Sequence, residues 1–407
     1  MIADRTLIYS AGLLRGLAAG LISVLAAVYL AKRGFPADEI GAVLSAGMAG
    51  VAAGTVYGTF YADRIGRRRS MVGLAFLGGA AGLVLAWAPN TWMLVAAAFF
   101  GMLNTQGTDR GAVQALETAI LPTTATPGER TRVYAWYNAL QDIGGALGAL
   151  AAALPQLLRD GFAVPEMRAY SAVIIFYGVL LLVVALLYSR LSVASRPAHS
   201  GPLKLSAQTR GPIRNFAWLS ALDAFGGGFI GAALIAYFFY ERFGVSESAL
   251  ALMFVAGRTM TVLSHFAAAW LASRIGLVNT MVFTHIPSSL LLLTIPFTGS
   301  FEVAAVLFIL REGLSEMDVP TRQSYLMAIV KDNERAYAAG ISQLARAAGR
   351  VVAPAIAGVA MVNAALWFPL VAGASLKIVY DLLLWRSFNG IRPPEEAERL
   401  KPKGQSS

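Results

Sequence analysis

Arg311, Ser315, Asp318 and Arg322 stand four, three and four residues apart in an otherwise apolar stretch. That spacing puts all four on one face of an α-helix. Glu312 and Glu316 form a neighbouring stripe. Arg346 and Arg350 stack at i, i+4 in the next apolar stretch. Guanidinium groups pair well with carboxylate or phosphate, so these arginines can hold an anion. They can equally neutralise Glu312, Glu316 and Asp318 next door, and the sequence leaves both readings open. A carboxylate can take up a proton when buried and release it when paired with a cation. Asp142, Asp223 and Glu312 lie deep enough for that role, and each also reads as the structural partner of an arginine.

These groups belong to a larger set inside apolar stretches. The bases are Arg15, Arg110, Arg258, Arg311, Arg322, Arg346, Arg350 and Lys377; the acids are Asp109, Glu117, Asp142, Asp223, Glu312, Glu316, Asp318 and Asp381. The sets match in number, which predicts extensive internal pairing. Lys377 and Asp381, at i, i+4, read as a structural pair on one helix. His265 reads as a hydrogen-bonded core residue or a cavity ligand.

The elements that must carry these charges follow from composition. The 407 residues are 57% hydrophobic and 14% charged, against about 25% charged in soluble domains. The apolar residues form runs long enough to cross a bilayer as helices. The expected spans are 7–31, 39–61, 70–88, 92–119, 131–155, 168–189, 214–240, 248–271, 277–297, 302–329, 336–362 and 365–386. The predicted class is an all-α membrane protein of 12 spans. Spans three, six and nine carry no acid or base in their interiors on this reading.

Charge alternates between loops. One set holds Arg64, Arg67, Arg68, Arg69, Arg130, Arg132, Arg190, Arg196, Lys204, Arg210, Arg214, Arg274, Lys331 and Arg335. The other holds only Lys32, Arg33, Arg159, Arg168 and Arg242. The richer set is expected to be cytoplasmic, with both termini. This topology accounts for the net charge of +10 without nucleic acid. With no cysteine, disulfides and thiolate metal sites are excluded. His199, His265 and His285 lack metal-site spacing, and no Gly-rich Lys-Ser/Thr loop for ATP is present. No cofactor, no metal and no enzymatic activity are expected.

An internal repeat is visible. Gly34 and Gly244 lie 210 positions apart, as do Arg64-Ile65-Gly66 and Arg274-Ile275-Gly276. A shift of 209 pairs Asp109 with Asp318 and Gln114 with Gln323. The expected organisation is a half at 1–190, a cytoplasmic linker at 191–213, a second half at 214–390 and a cytoplasmic tail at 391–407.

Asp63-Arg64-Ile65-Gly66-Arg67-Arg68-Arg69 resembles the signature loop between spans two and three of the major facilitator superfamily. Ala62, Asp63, Arg64, Gly66, Arg67 and Arg68 match its pattern; Thr59 stands where the family has Gly, with Gly58 one place earlier. Ala272-Ser273-Arg274-Ile275-Gly276 is a degenerate second copy, with Ser273 in place of the Asp. The resemblance implies two pseudo-symmetric six-helix bundles around a central cavity, with spans three, six, nine and twelve facing lipid. It implies secondary active transport by alternating access in the bacterial inner membrane. The expected partners are a small-molecule substrate, membrane lipid and a proton as the candidate coupling ion, with the chain acting as a monomer.

Arg15, Arg258, Arg311, Arg346 and Arg350 are the substrate-binding candidates; Asp142, Asp223 and Glu312 are the coupling candidates. Asp63, Arg64, Gly66, Arg67, Arg68, Asp109, Arg110, Asp318 and Arg322 are read as gating residues. The excess of mid-depth arginine favours a small polar or anionic solute. Drug or amphipathic efflux is the alternative, although Leu103–Gly107 lacks the arginine of drug–proton antiporters and Gly144, Gly145 and Gly148 lack their Gly-Pro. A non-transporting sensor and an intramembrane enzyme stand further off.

Overall fold

The computed structural model describes residues 2–107, 111–124, 130–192, 207–328, 330 and 335–390. Its helices in chain order are α1 (Ile2–Lys32), α2 (Ala37–Phe60), α3 (Ala62–Ile65), α4 (Arg67–Trp87), α5 (Thr91–Phe100), α6 (Ala112–Ile120), α7 (Arg130–Ala151), α8 (Leu154–Phe162) and α9 (Glu166–Ser189). There follow α10 (Ala207–Phe229), α11 (Ala232–Phe243), α12 (Glu247–Ile275), α13 (Leu277–Thr294), α14 (Phe301–Ser315), α15 (Asp318–Ala328), α16 (Arg335–Asn363) and α17 (Phe368–Phe388). No strand occurs among the described residues. Among the described residues, eight helical segments are long and apolar enough to cross a membrane. The protein is an all-α membrane protein.

The repeat is written in the backbone. Gly66 has φ +104° and Gly276 has φ +88°, so each of the paired short turns takes a conformation that L side chains rarely adopt. Gly34 and Gly244 also have positive φ. The side chains around these turns have diverged more than the turns themselves.

Three expected spans are interrupted. The stretch expected at 92–119 divides into α5 and α6. That at 214–240 divides into α10 and α11 at Ile230 and Gly231, and that at 302–329 into α14 and α15. Broken helix is tolerated at membrane depth only where other protein groups take over its backbone hydrogen bonds. Here the Ala233 N–H donates to the Thr105 carbonyl at 3.3 Å, and the Gln106 N–H donates to Asn104 Oδ1 at 3.1 Å. A further helix, α8, lies where the sequence reading places the end of span five and the following loop.

The chain forms two compact units. The first comprises Met1–His199, Gly228–Val255 and Arg350–Pro369; the second comprises Ser200–Gly227, Ala256–Gly349 and Leu370–Ser407. In the first unit α1 packs on α7, α9 and α11, and α4 packs on α9. Lipid offers no hydrophobic drive for helix association, so small residues must let the backbones come close. A Cβ at Gly20 would lie 2.2 Å from the Gly145 carbonyl oxygen, and one at Gly148 would lie 2.0 Å from that of Leu17. Packing against α1 is thus the role of the glycines on α7.

The second unit is held by an aromatic cluster. Phe216, Tyr325 and Phe388 pack ring on ring with centroids 5.7–6.3 Å apart. Outward faces are apolar, with Phe76 and Leu77 on α4, Phe176 and Val183 on α9, Phe283 and Leu290 on α13, and Leu382 and Trp385 on α17 all exposed.

Gly148→Ala should cost about 1–3 kcal/mol through overpacking and lower the melting temperature in detergent. Gly73→Ala, which meets nothing within 4 Å, should leave it unchanged. Equal melting of the two variants would refute the close-packing account of α1 and α7.

Candidate functional site

Asp223 on α10 is the hub of the second unit, with 2% of its surface exposed. Its Oδ2 accepts from Arg346 Nη1 of α16 at 2.7 Å and from Arg322 Nη1 of α15 at 3.1 Å. Its Oδ1 accepts from Lys377 Nζ of α17 at 2.8 Å. Arg322 Nη1 also donates to Asp318, one turn earlier, at 2.7 Å. Lys377 Nζ reaches His285 Nε2 of α13 at 3.2 Å, and His285 Nδ1 lies 2.9 and 3.0 Å from the two oxygens of Asp381. Five helices therefore supply one continuous polar network. A buried charge is tolerated only when paired and hydrogen-bonded, and this network meets that demand for Asp223.

The sequence reading of Lys377 and Asp381 as a same-helix pair is replaced by partners on other helices. Spacing reports only neighbours on one helix, whereas Lys377 reaches α10 and Asp381 reaches α13. Span nine, expected to hold no acid or base, carries the buried His285. The signal that could have located it was Asp381 on an expected lipid-facing helix, which needed a buried partner.

A second network lies in the first unit. Arg15 is buried beside Glu117, with Nη2 2.7 Å from Oε2. Tyr188 donates to Glu117 Oε1 at 2.7 Å and Tyr137 to Oε2 at 2.5 Å. Gln141 and Gln114 extend the chain at 3.0 and 3.1 Å. A cavity of about 90 Å³ borders Arg15, lined mainly by apolar groups such as Ile22, Val51 and Leu74.

A third network was missed from the sequence. Arg159 on α8 grips Glu247, the first residue of α12, through two N–H donors at 3.0 and 2.9 Å. Tyr170 of α9 also donates to Glu247. Glu166 pairs with Lys32 at 2.8 Å and with Arg159 at 3.6 Å. All these residues lie near the arginine-poor loops. Burial alone would raise the Glu247 carboxyl, but the bonds from Arg159 and Tyr170 outweigh it and hold the group below the usual carboxylate range. A polar cavity of about 400 Å³ lies alongside, bordered by Lys32, Arg159, Tyr240 and Glu247. The available signal was opposite charge among the few ionised groups flanking those loops.

The remaining sequence candidates are dispersed. Arg311 is buried and pairs with Glu312, its neighbour on α14. Arg258 on α12 and Arg350 on α16 are half-buried, and Asp142 on α7 is exposed. In the signature loop Gly66 makes the turn, Arg64 is exposed, Arg67 donates to the Ala119 carbonyl at 3.5 Å and Arg68 to that of Leu191 at 3.1 Å. Asp63 lies on α3. Asp109 and Arg110 lie outside the described residues, as do the linker stretch 193–206 and the tail; the side chain of His265 is likewise outside them.

The sequence profile of the Major Facilitator Superfamily matches residues 8–222 and again 216–406. An uncharacterized membrane protein of Saccharomyces cerevisiae is 25% identical over 423 residues, covering 95% of this chain and 94% of its own. Among solved structures, the nucleoside transporter NupG superposes with a TM-score of 0.75 at 13% identity, covering 95% of this chain and all of that one. A bacterial homolog of the human lysosomal transporter Spinster, in an inward-facing and occupied conformation, gives 0.70 at 16% identity, covering 94% of each chain. A D-xylose-proton symporter gives 0.70 at 14%, covering 95% of this chain and 97% of its own. At these identities the structures establish the fold. The doubled profile match, the duplicated glycine turns and the charge networks inside an all-helical membrane protein lead to one conclusion: the chain belongs to the Major Facilitator Superfamily, a family of membrane transporters rather than enzymes.

Proposed function

We propose that the protein is a secondary active transporter that moves a small anionic solute across the membrane by alternating access. The single observation behind this reading is the pair of guanidinium groups on one buried oxygen of Asp223. Each guanidinium carries five N–H donors in a rigid fork, and Arg346 gives one of them to Asp223. Its side chain is 12% exposed, more than that of Arg322. An incoming carboxylate or phosphate can take Arg346 over from Asp223, replacing one anion by another. Such an exchange avoids leaving a charge unpaired inside the membrane, where it would cost several kcal/mol.

Arg346 is thus assigned to substrate and Asp223 to the return of the empty site. Asp318 and Arg322 hold the hub in place. The halves 1–190 and 214–390 are the proposed moving bodies, and the arginine-rich loops are placed in the cytoplasm of a bacterial plasma membrane. The Arg159–Glu247 pair is assigned as a latch on the arginine-poor, outer side. It fastens the start of α12 to α8 and α9 and must part when that side opens.

A thermal-shift screen of the purified protein against metabolites and drugs tests the solute class. Carboxylated or phosphorylated compounds should stabilise it, and Arg346→Ala should weaken the best of them at least tenfold, about 1.4 kcal/mol. Stabilisation by neutral lipophilic compounds alone, unaffected by Arg346→Ala, would rule the anion reading out.

The latch is tested by labelling. The chain has no cysteine, so Ala251→Cys, at a fully buried position of α12, supplies a unique thiol. An impermeant maleimide on the outer side should label it several-fold faster when Glu247→Gln is added. A carboxylate held below its ordinary range stabilises the closed state above that range and loses this contribution as pH falls through its folded value. Measured relative to a freely exposed thiol at the same pH, because the thiolate is the reacting form, labelling should therefore stay slow from neutral pH down to about 4.3, the ordinary glutamate value, and rise only below it. An unchanged rate in Glu247→Gln would remove the latch assignment.

A further inference from the structure

We propose that His285 and Asp381 form the site of a coupling proton, taken up when negative charge arrives at Arg346. This deepens the reading above and rests on it for the identity of that charge.

Asp223, Lys377, His285 and Asp381 form an unbroken chain with links of 2.8, 3.2 and 2.9 Å. His285 and Asp381 are 1% and 0% exposed. A charged lysine can only donate, so His285 Nε2 accepts from Lys377. Nδ1 then carries the ring proton and gives it to Asp381. The resting imidazole is therefore neutral. Asp223, Asp318 and Asp381 balance Arg322, Arg346 and Lys377, leaving the cluster without net charge. Arg311 and Glu312 of α14 pair with each other. Tyr380, the neighbour of Asp381 on α17, meets the His285 ring edge to face at 6.1 Å.

An anion that takes over Arg346 leaves the cluster with one negative charge too many. Neutrality returns if one proton binds. Asp223 keeps Lys377 at 2.8 Å and Arg322 at 3.1 Å, and Asp318 keeps Arg322 at 2.7 Å. Asp381 has a neutral imidazole and, among the described residues, no cation within ion-pair distance in the resting state, so it is the carboxylate that accepts the proton. Lys377 passes a proton to Nε2 as the Nδ1 proton moves to Asp381, and Lys377 is recharged from water. The sum is one proton bound, a neutral imidazole of the opposite tautomer, a neutral Asp381 carboxyl and a charged Lys377 that gives up its bond to Nε2 and keeps the one to Asp223. Solute anion and proton then bind together.

The test needs no solute. Arg346→Gln removes one positive charge and so imitates the arrival of an anion. Infrared difference spectra of the full-length protein in liposomes, at neutral pH, should show one protonated carboxyl per molecule in Arg346→Gln. None should appear in the wild type or in Arg346→Lys, which keeps the charge. Arg346→Met offers the same charge change, should Arg346→Gln fold poorly. The band should vanish when Asp381→Asn is combined with either variant. No band in the charge-removing variants, or a band that survives Asp381→Asn, overturns the proposal. If the band behaves as expected but no anion stabilises the protein in the thermal-shift screen, the proton site stands and the anion reading fails.

Discussion

A charge in the interior of a membrane has no water to fall back on, and its partner must come from the protein. Asp223 is the clearest case. It takes cations from three other helices, and each of these cations is fixed partly by its bond to Asp223. The positions of α10, α15, α16 and α17 in the second unit are thereby tied to a single carboxylate. Loss of one partner would leave the rest of the network unbalanced, as for any buried pair. The same constraint makes the network responsive, since any ion that enters must be answered by another that leaves or by a proton.

The first unit obeys a different rule. Its most extensively packed helix pair, α1 and α7, meets through glycines rather than charges. Backbone contact of this kind is rigid, and it carries Arg15 and Tyr137 on the same two helices. The Arg15–Glu117 pair, closed in by Tyr137 and Tyr188, can therefore be held without taking part in exchange. Two chemically similar arginines, Arg15 and Arg346, differ in how thoroughly each is enclosed.

Much of the fold was legible because its signals are local. Apolar runs mark membrane helices, and glycine at Gly66 and Gly276 marks a turn that few other residues can make. The population of interior charges was legible for the same reason. Their pairing was not. Arg159 and Glu247 lie 88 positions apart, and nothing in the spacing of either links them. Lys377 and Asp381 looked like partners because they are one turn apart, yet each finds a better geometry across a helix boundary. His285 was overlooked because one imidazole barely alters the hydropathy of its span. The breaks within the fourth, seventh and tenth stretches were also hidden, since their glycines and polar residues are equally compatible with a continuous helix.

The charge balance of the Asp223 cluster bears on bioenergetics. A membrane potential does work only on net charge that moves through the field. Three carboxylates against three cations give it nothing to act on, however far they travel. On this account the empty carrier reorients with electrical indifference, and one anion accompanied by one proton crosses with the same indifference. The pH gradient, rather than the voltage, would then set how far the solute can be concentrated.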